Sequence, residues 1–280
     1  MKVAVTGASG FVGKNVLTAL TRENVEVFAI TRDGEKLASI DKSINVIDLD
    51  ICDCDSNSFE KIGSPDVLIH LAWDGLPNYK SLHHFETELL IQYKFLKNVI
   101  DSGLVSLLVT GTCFEYGMQS GALSEEMITK PNNPYGFAKD ALHQQLGFLK
   151  LIKPFNLIWA RLFYMYGETQ ANTSLYSQLR EAVKRGDKVF NMSGGEQLRD
   201  YLHVDEVSRQ IVRLALMQHD IGTINICSGK PISVHEQVES WLHENNWKIR
   251  LNLGYYPYPD YEPMAFWGDR QYLDATLERQ

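Results

Sequence analysis

The stretch TGASGFVG, residues 6–13, follows the apolar run KVAVT and leads directly into a helix-period segment. Gly7, Gly10 and Gly13 are spaced three apart. At the junction of a strand and a helix, such glycines allow a tight turn and let the backbone approach a pyrophosphate at the positive end of the helix. Glycine is common enough that three of them alone mean little. Their place after an N-terminal strand makes the pattern specific, and it predicts a dinucleotide cradle of Gly7, Ser9, Gly10, Phe11, Val12 and Gly13.

The rest of the chain must supply a sheet for that turn to sit on. Apolar strand-length runs occur at residues 2–6, 25–30, 44–49, 66–72, 105–111 and 155–163, with helix-period stretches at 11–22, 82–102 and 136–151. Near-continuous apolar strands separated by helices indicate a parallel sheet covered on both faces. The expected fold class is therefore α/β, a doubly wound parallel (Rossmann) sheet with a smaller C-terminal substrate-binding lobe. The expected boundaries are 1–163 for the NAD(P)-binding domain and 164–280 mainly for the lobe, with part of 196–225 returning to the first domain. Further helices are expected at 174–185, 205–217 and 233–245, and the segment GYYPYPDYEPMAFWGD reads as loop.

A formal charge of -8 over 280 residues gives no support to nucleic-acid or anionic-membrane partners. Cys52, Cys54, Cys113 and Cys227 have no metal-ligand spacing, and the N-terminus has neither a signal-peptide core nor a membrane-length apolar run. A cytoplasmic protein without a metal site is expected.

The end of the second strand reads Thr31-Arg32-Asp33. An acidic residue there suits a ribose 2′-hydroxyl, whereas arginine suits a 2′-phosphate. With Arg32 first and Lys36 near, NADP(H) is favoured over NAD(H). Asp50 and Ile51, closing the third strand, would border the adenine, and Leu71, Ala72 and Trp73, closing the fourth, would lie along the cofactor. His70 reads as a core histidine.

Two Tyr–Lys pairs stand four apart, on one helix face in each case: Tyr93 with Lys97, and Tyr135 with Lys139. An adjacent ammonium would draw a tyrosine pKa down from about 10. Only Tyr135 follows a strand end, and ligands of doubly wound sheets bind outside the carboxyl ends of the strands. The same rule puts Thr110 and Thr112, ending the fifth strand, near a nicotinamide.

With TGASGFVG, HLAW, TGTCFEYG, YGFAK, ARLFYMYG, RDYLHVDEV and EPMAFWGD, nearly the whole chain resembles the extended short-chain dehydrogenase/reductase family, the nucleotide-sugar epimerases, dehydratases and reductases. The resemblance implies that Tyr135 is the acid/base, that Lys139 lowers its pKa and holds the nicotinamide ribose, and that Thr112 is the catalytic hydroxyl residue. It further implies cofactor contact at Phe163 and substrate contact at Cys113, Phe114, Tyr164 and Arg199. Arg199 would bind the substrate diphosphate, the alternative being an ion pair with Asp200 or Asp205. Family 4,6-dehydratases carry Asp-Glu after the catalytic threonine; this chain has Cys113-Phe114, which removes the acid and base for losing water. What remains suffices to reduce a ketone. The expected activity is NADPH-dependent reduction of a nucleotide-activated 4-keto-6-deoxy sugar such as dTDP-4-keto-6-deoxyglucose. The alternatives are an NAD-dependent nucleotide-sugar 4-epimerase and a non-catalytic NADP(H)-binding regulator. The expected partners are a nucleotide-diphosphate sugar and a second copy of the chain, in a homodimer pairing residues 82–102 with 136–151.

Overall fold

A computed structural model describes residues 1–278. Its first half alternates strand and helix: β1 (Lys2–Thr6), α1 (Phe11–Leu20), β2 (Glu26–Thr31), β3 (Asn45–Asp48), the short α2 (Ser58–Lys61), β4 (Val67–His70), α3 (Leu89–Asp101), β5 (Ser106–Thr112), β6 (Gly121–Leu123), α4 (Pro134–Ile152) and β7 (Asn156–Leu162). The second half is finer-grained: β8 (Tyr164–Tyr166), α5 (Leu175–Arg185), β9 (Val189–Asn191), β10 (Leu198–His203), α6 (Val204–Leu216), β11 (Gly222–Ile226), β12 (Pro231–Ser233), α7 (Val234–Glu244), β13 (Arg250–Asn252), β14 (Phe266–Gly268) and α8 (Gln271–Leu277).

Seven of these strands form one parallel sheet in the order β11-β7-β5-β4-β1-β2-β3. Side chains alternate across a strand, so β1 feeds two cores. Val3 and Val5 pack with Val16, Leu17 and Leu20 of α1 and Ile211 and Leu214 of α6. Ala4 faces the other way, into the layer of Phe95, Leu96 and Val99 of α3 and Leu142 and Leu146 of α4. Burial on both faces is why these strands lack polar alternation. The chain turns back on itself between β1 and β4, and that switch opens a crevice at their carboxyl ends.

The smaller strands β12-β10-β8 and β13-β9 make two further sheets, over a cluster of Tyr176, Leu179, Phe190, Val238 and Trp241. Three details differ from the sequence reading. Helix 82–102 is split, with a wider π turn at His84–Glu88 before α3. The segment read wholly as loop contains β14, which pairs in parallel with β6. β11 fills a seventh place in the main sheet, beside β7. Three-residue strands such as β6 and β14 are too short to show a period, and GTINI carries too few apolar residues to stand out. Among the described residues no helix is long and apolar enough to cross a membrane.

The apolar residues of the two segments expected to pair in a homodimer, 82–102 and 136–151, divide in two. Phe95, Leu96, Val99, Leu142, Leu146 and Leu149 are core, while Leu90, Phe137 and Phe148 are exposed, together with Leu151 and Ile152.

Candidate functional site

Three cavities run along the crevice, of about 330, 260 and 250 Å³. Leu71 and Trp73 line the first and second, and Tyr164 lines the second and third.

The first cavity sits over the glycine turn. Gly7 has φ +67°, and a Cβ there would lie 2.8 Å from the Ala72 amide nitrogen. Gly13 is needed for closeness rather than conformation: a Cβ would lie 2.3 Å from the Gly7 carbonyl oxygen. The bare backbone thus forms the cradle that a pyrophosphate requires, and the residues present fit a dinucleotide. Gly7, Ser9, Gly10, Arg32, Asp50, Ile51, Leu71, Ala72 and Trp73 all line this cavity. Phe11 and Gly13 do not; they lie on α1 behind it. His70 is a buried core histidine, its Nδ1 2.8 Å from the Thr6 hydroxyl and its Nε2 2.5 Å from Gln92 Oε1. Burial pushes its pKa down to about 3.

The second cavity brings together Val12, Thr110, Thr112, Cys113, Phe114, Tyr135, Lys139, Phe163 and Tyr164. Asn133 caps α4 by accepting from the Gly136 amide at 2.8 Å, and Pro134 occupies the first turn. This cap presents Tyr135 at the helix start, with Lys139 one turn on. The Lys139 ammonium donates to the Thr110 carbonyl at 2.9 Å and lies 4.0 Å over the Trp73 ring. Burial drives its pKa down to about 7, against the pull of Glu115 and Glu88. Burial likewise raises the Tyr135 phenol above the ordinary range, helped by Tyr79, Glu115 and Cys113, and only Thr112 favours the phenolate. The lowering by Lys139 that the resemblance implies is not among the contributions to this shift, of which desolvation is the largest. Among the described residues no carboxylate or histidine lines this cavity.

Several contributors escaped the sequence reading. Tyr79, on the loop after β4, packs at a tilt against Tyr135 and Phe114, with ring centroids 5.7 and 4.9 Å away, and burial pushes its own pKa up to about 12. Glu115 is fully buried beneath the site. It accepts from the Thr112 amide at 2.8 Å, pairs with Arg161 Nε at 2.7 Å and takes the Trp159 indole N–H. The Thr-x-x-Glu spacing of a capping box was its visible signal. These bonds also engage the carboxylate of the one group of potential metal ligands, Glu115, Asp140 and His143, among the described residues.

Arg199 lines the third cavity. It is paired with neither Asp200 nor Asp205; its Nη2 meets Glu262 at 3.1 Å, and the same carboxylate takes the Tyr164 hydroxyl. Asp200 instead accepts the Ser228 and Gly229 amides.

Residues 3–227 match the model of the NAD dependent epimerase/dehydratase family. The chain belongs to that family. Among curated relatives of this member, the dTDP-6-deoxy-L-talose 4-dehydrogenase (NAD(+)) of Aggregatibacter actinomycetemcomitans is 31% identical over 96% of the chain and 99% of its own length. The GDP-6-deoxy-D-talose 4-dehydrogenase of the same organism is 26% identical over 84% and 77%. Among solved structures, MoeE5 in complex with UDP-glucuronic acid and NAD superposes with a TM-score of 0.83 at 25% identity, covering 99% of the chain and 93% of MoeE5.

These relatives overturn the NADP(H) expectation: the talose dehydrogenase is named for NAD(+), and MoeE5 holds NAD. Arg32, which carried that expectation, has a carboxylate partner from another loop. Its guanidinium meets Asp74 Oδ1 at 3.4 Å and so already has an anion.

Proposed function

We propose that the protein is an NAD-dependent 4-dehydrogenase of a nucleoside-diphosphate 6-deoxy sugar, interconverting the C4 hydroxyl and the C4 ketone. Run in reverse, this is the ketone reduction expected from the sequence, with NAD(H) in place of NADP(H). The observation that carries the reading is the composition of the second cavity. Tyr135 is joined there by Thr112 and Lys139, and among the described residues neither a carboxylate nor a histidine lines the wall. Such a wall supports one proton transfer at one carbinol, not the acid and base that elimination of water demands. Leu76, Tyr79, Phe114 and Phe163 give it an apolar side suited to a sugar carrying a methyl group at C5.

Bound NAD would supply the hydride acceptor. Gly7, Ser9 and Gly10 would hold its pyrophosphate, and Lys139 its nicotinamide ribose. In oxidation, Tyr135 takes the proton of the C4 hydroxyl as the C4 hydrogen leaves with its electron pair, and a ketone forms. In reduction, Tyr135 returns the proton while Thr112 hydrogen-bonds the developing alkoxide. Arg199 would face the diphosphate. We propose the matching division of the chain, with residues 1–163 for the cofactor and 164–280 mainly for the substrate, β11 and α6 serving the main sheet. The exposed apolar residues of α3 and α4 suit a homodimer, since soluble monomers avoid such patches. A cytoplasmic location agrees with four unbridged cysteines.

The test is incubation of the protein with NAD+ and a panel of dTDP- and GDP-linked 6-deoxy sugars, following NADH absorbance and identifying products. NADH with a matching 4-keto product is expected. An epimerised sugar without net NADH would replace the reading with 4-epimerisation, and inertness toward every sugar would leave a binding protein.

A further inference from the structure

Arg32 stands where a 2′-phosphate would be read, yet the relatives use NAD. What neutralises it comes from another element. Asp74 lies on the loop after β4, Arg32 at the end of β2, and both line the first cavity. Their side chains meet at 3.4 Å. His83 Nε2 stands 3.9 Å from the other Asp74 oxygen and 3.8 Å from Glu88. The remaining charges at this rim are also matched or acidic. Lys36 pairs with Asp33 at 3.4 Å, and Asp33 accepts the Glu35 amide. Asp50 caps the next turn, and its carboxyl lies below the usual range; burial opposes that shift, while the Cys52 contacts and the Arg32 charge produce it. Arg32 and Lys36 thus face four carboxylates, Asp33, Asp50, Asp74 and Glu88.

We propose that Asp74 is the residue that sets the cofactor preference. It occupies the Arg32 guanidinium and leaves the rim acidic, so an arginine suited to a 2′-phosphate serves a dinucleotide without one. This rests on the NAD reading above. The Arg32–Asp74 pair is more than half exposed on both sides, and such pairs are weak by themselves. The discrimination comes from what a 2′-phosphate adds: close to two negative charges, which need a free guanidinium fork and meet a carboxylate instead. A 2′-hydroxyl is indifferent to that exchange.

The test is titration of NAD+ and NADP+ into wild type, Asp74→Asn, Asp74→Ser and the double variant Arg32→Ala/Asp74→Asn. The readout is the ratio of NADP+ to NAD+ affinity, which general damage to the fold does not move selectively. Both single variants should raise that ratio roughly ten-fold, the scale of one charge-assisted contact discounted for exposure. The double variant should return it to the wild-type value, because the gain works through Arg32. An unchanged ratio in both single variants, or a gain that survives loss of Arg32, overturns the role of Asp74. Tighter NADP+ than NAD+ binding by wild type would instead overturn the cofactor reading itself.

Discussion

Replacing Glu115 with glutamine should destabilise the protein more than any other single isosteric change near the site. The side chain is fully buried, and Arg161, its partner at 2.7 Å, is only 3% exposed. Removing one member of a buried ion pair strands the other charge, at a cost of about 3–5 kcal/mol. Compensation is limited: Arg161 Nη1 is buried without a hydrogen-bond partner, and the Tyr116 ring lies 4.6 Å from the guanidinium. The amide would also turn a donor toward Arg161 Nε, the Trp159 indole or the Thr112 amide, all donors themselves. At roughly 2–4 °C per kcal/mol for a chain of this size, thermal unfolding should fall by about 6–20 °C. Replacing both partners with apolar residues should recover much of the loss. Glu115 also helps hold the Lys139 pKa up, so the variant's activity limb attributable to Lys139 should move to lower pH. Calorimetry and a pH–rate profile read both effects. A loss below about 1 kcal/mol would refute the claim that Glu115 is the buried counter-ion of Arg161.

Tyr135→Phe should reduce turnover by about 10²–10⁴-fold with NAD affinity little changed, whereas Tyr93→Phe should be nearly silent; steady-state kinetics and cofactor titration decide. Gly13→Ala puts a Cβ 2.3 Å from the Gly7 carbonyl, so it should cost about 1–3 kcal/mol in denaturant unfolding and weaken NAD binding as well. Lys139 titrates at about 7 in the fold against 10.5 ordinarily, so between those values the unfolded chain binds more protons. Its contribution to stability is therefore lowest below about pH 7 and rises with pH through that window; denaturant midpoints should show a rising component there that Lys139→Met removes. Light scattering should return twice the chain mass of 31.9 kDa, and Leu90→Glu/Phe148→Glu should return the single mass.

Local rules carried much of this account, and long-range pairing carried the rest. The glycine turn and the six apolar strands were readable because each rests on neighbouring residues. β11, β6 and β14 were not, since their places depend on partners scores of residues away. The site divides in the same way. Thr112, Tyr135 and Lys139 line one cavity, as their motif spacing suggests. The NADP(H) assignment weighed Arg32 only against Asp33, its neighbour in sequence, whereas the carboxylate that meets it is Asp74, forty-two residues on. Arg199 was likewise matched to nearby aspartates, while its partner Glu262 arrives from the far end of the chain. The phenol beside the lysine was expected to acidify, yet pattern alone cannot weigh charge against the burial that dominates here.

The most direct test of the central claim follows one hydrogen atom. The protein is given NAD+ and the 6-deoxy sugar nucleotide that it oxidises, carrying deuterium at C4, and the reduced cofactor and the sugar are examined by mass spectrometry. The account predicts one deuterium per NADH formed, a 4-keto sugar that has lost it, and slower turnover than with the unlabelled sugar. Deuterium that stays on the sugar or passes to water would contradict hydride removal from C4.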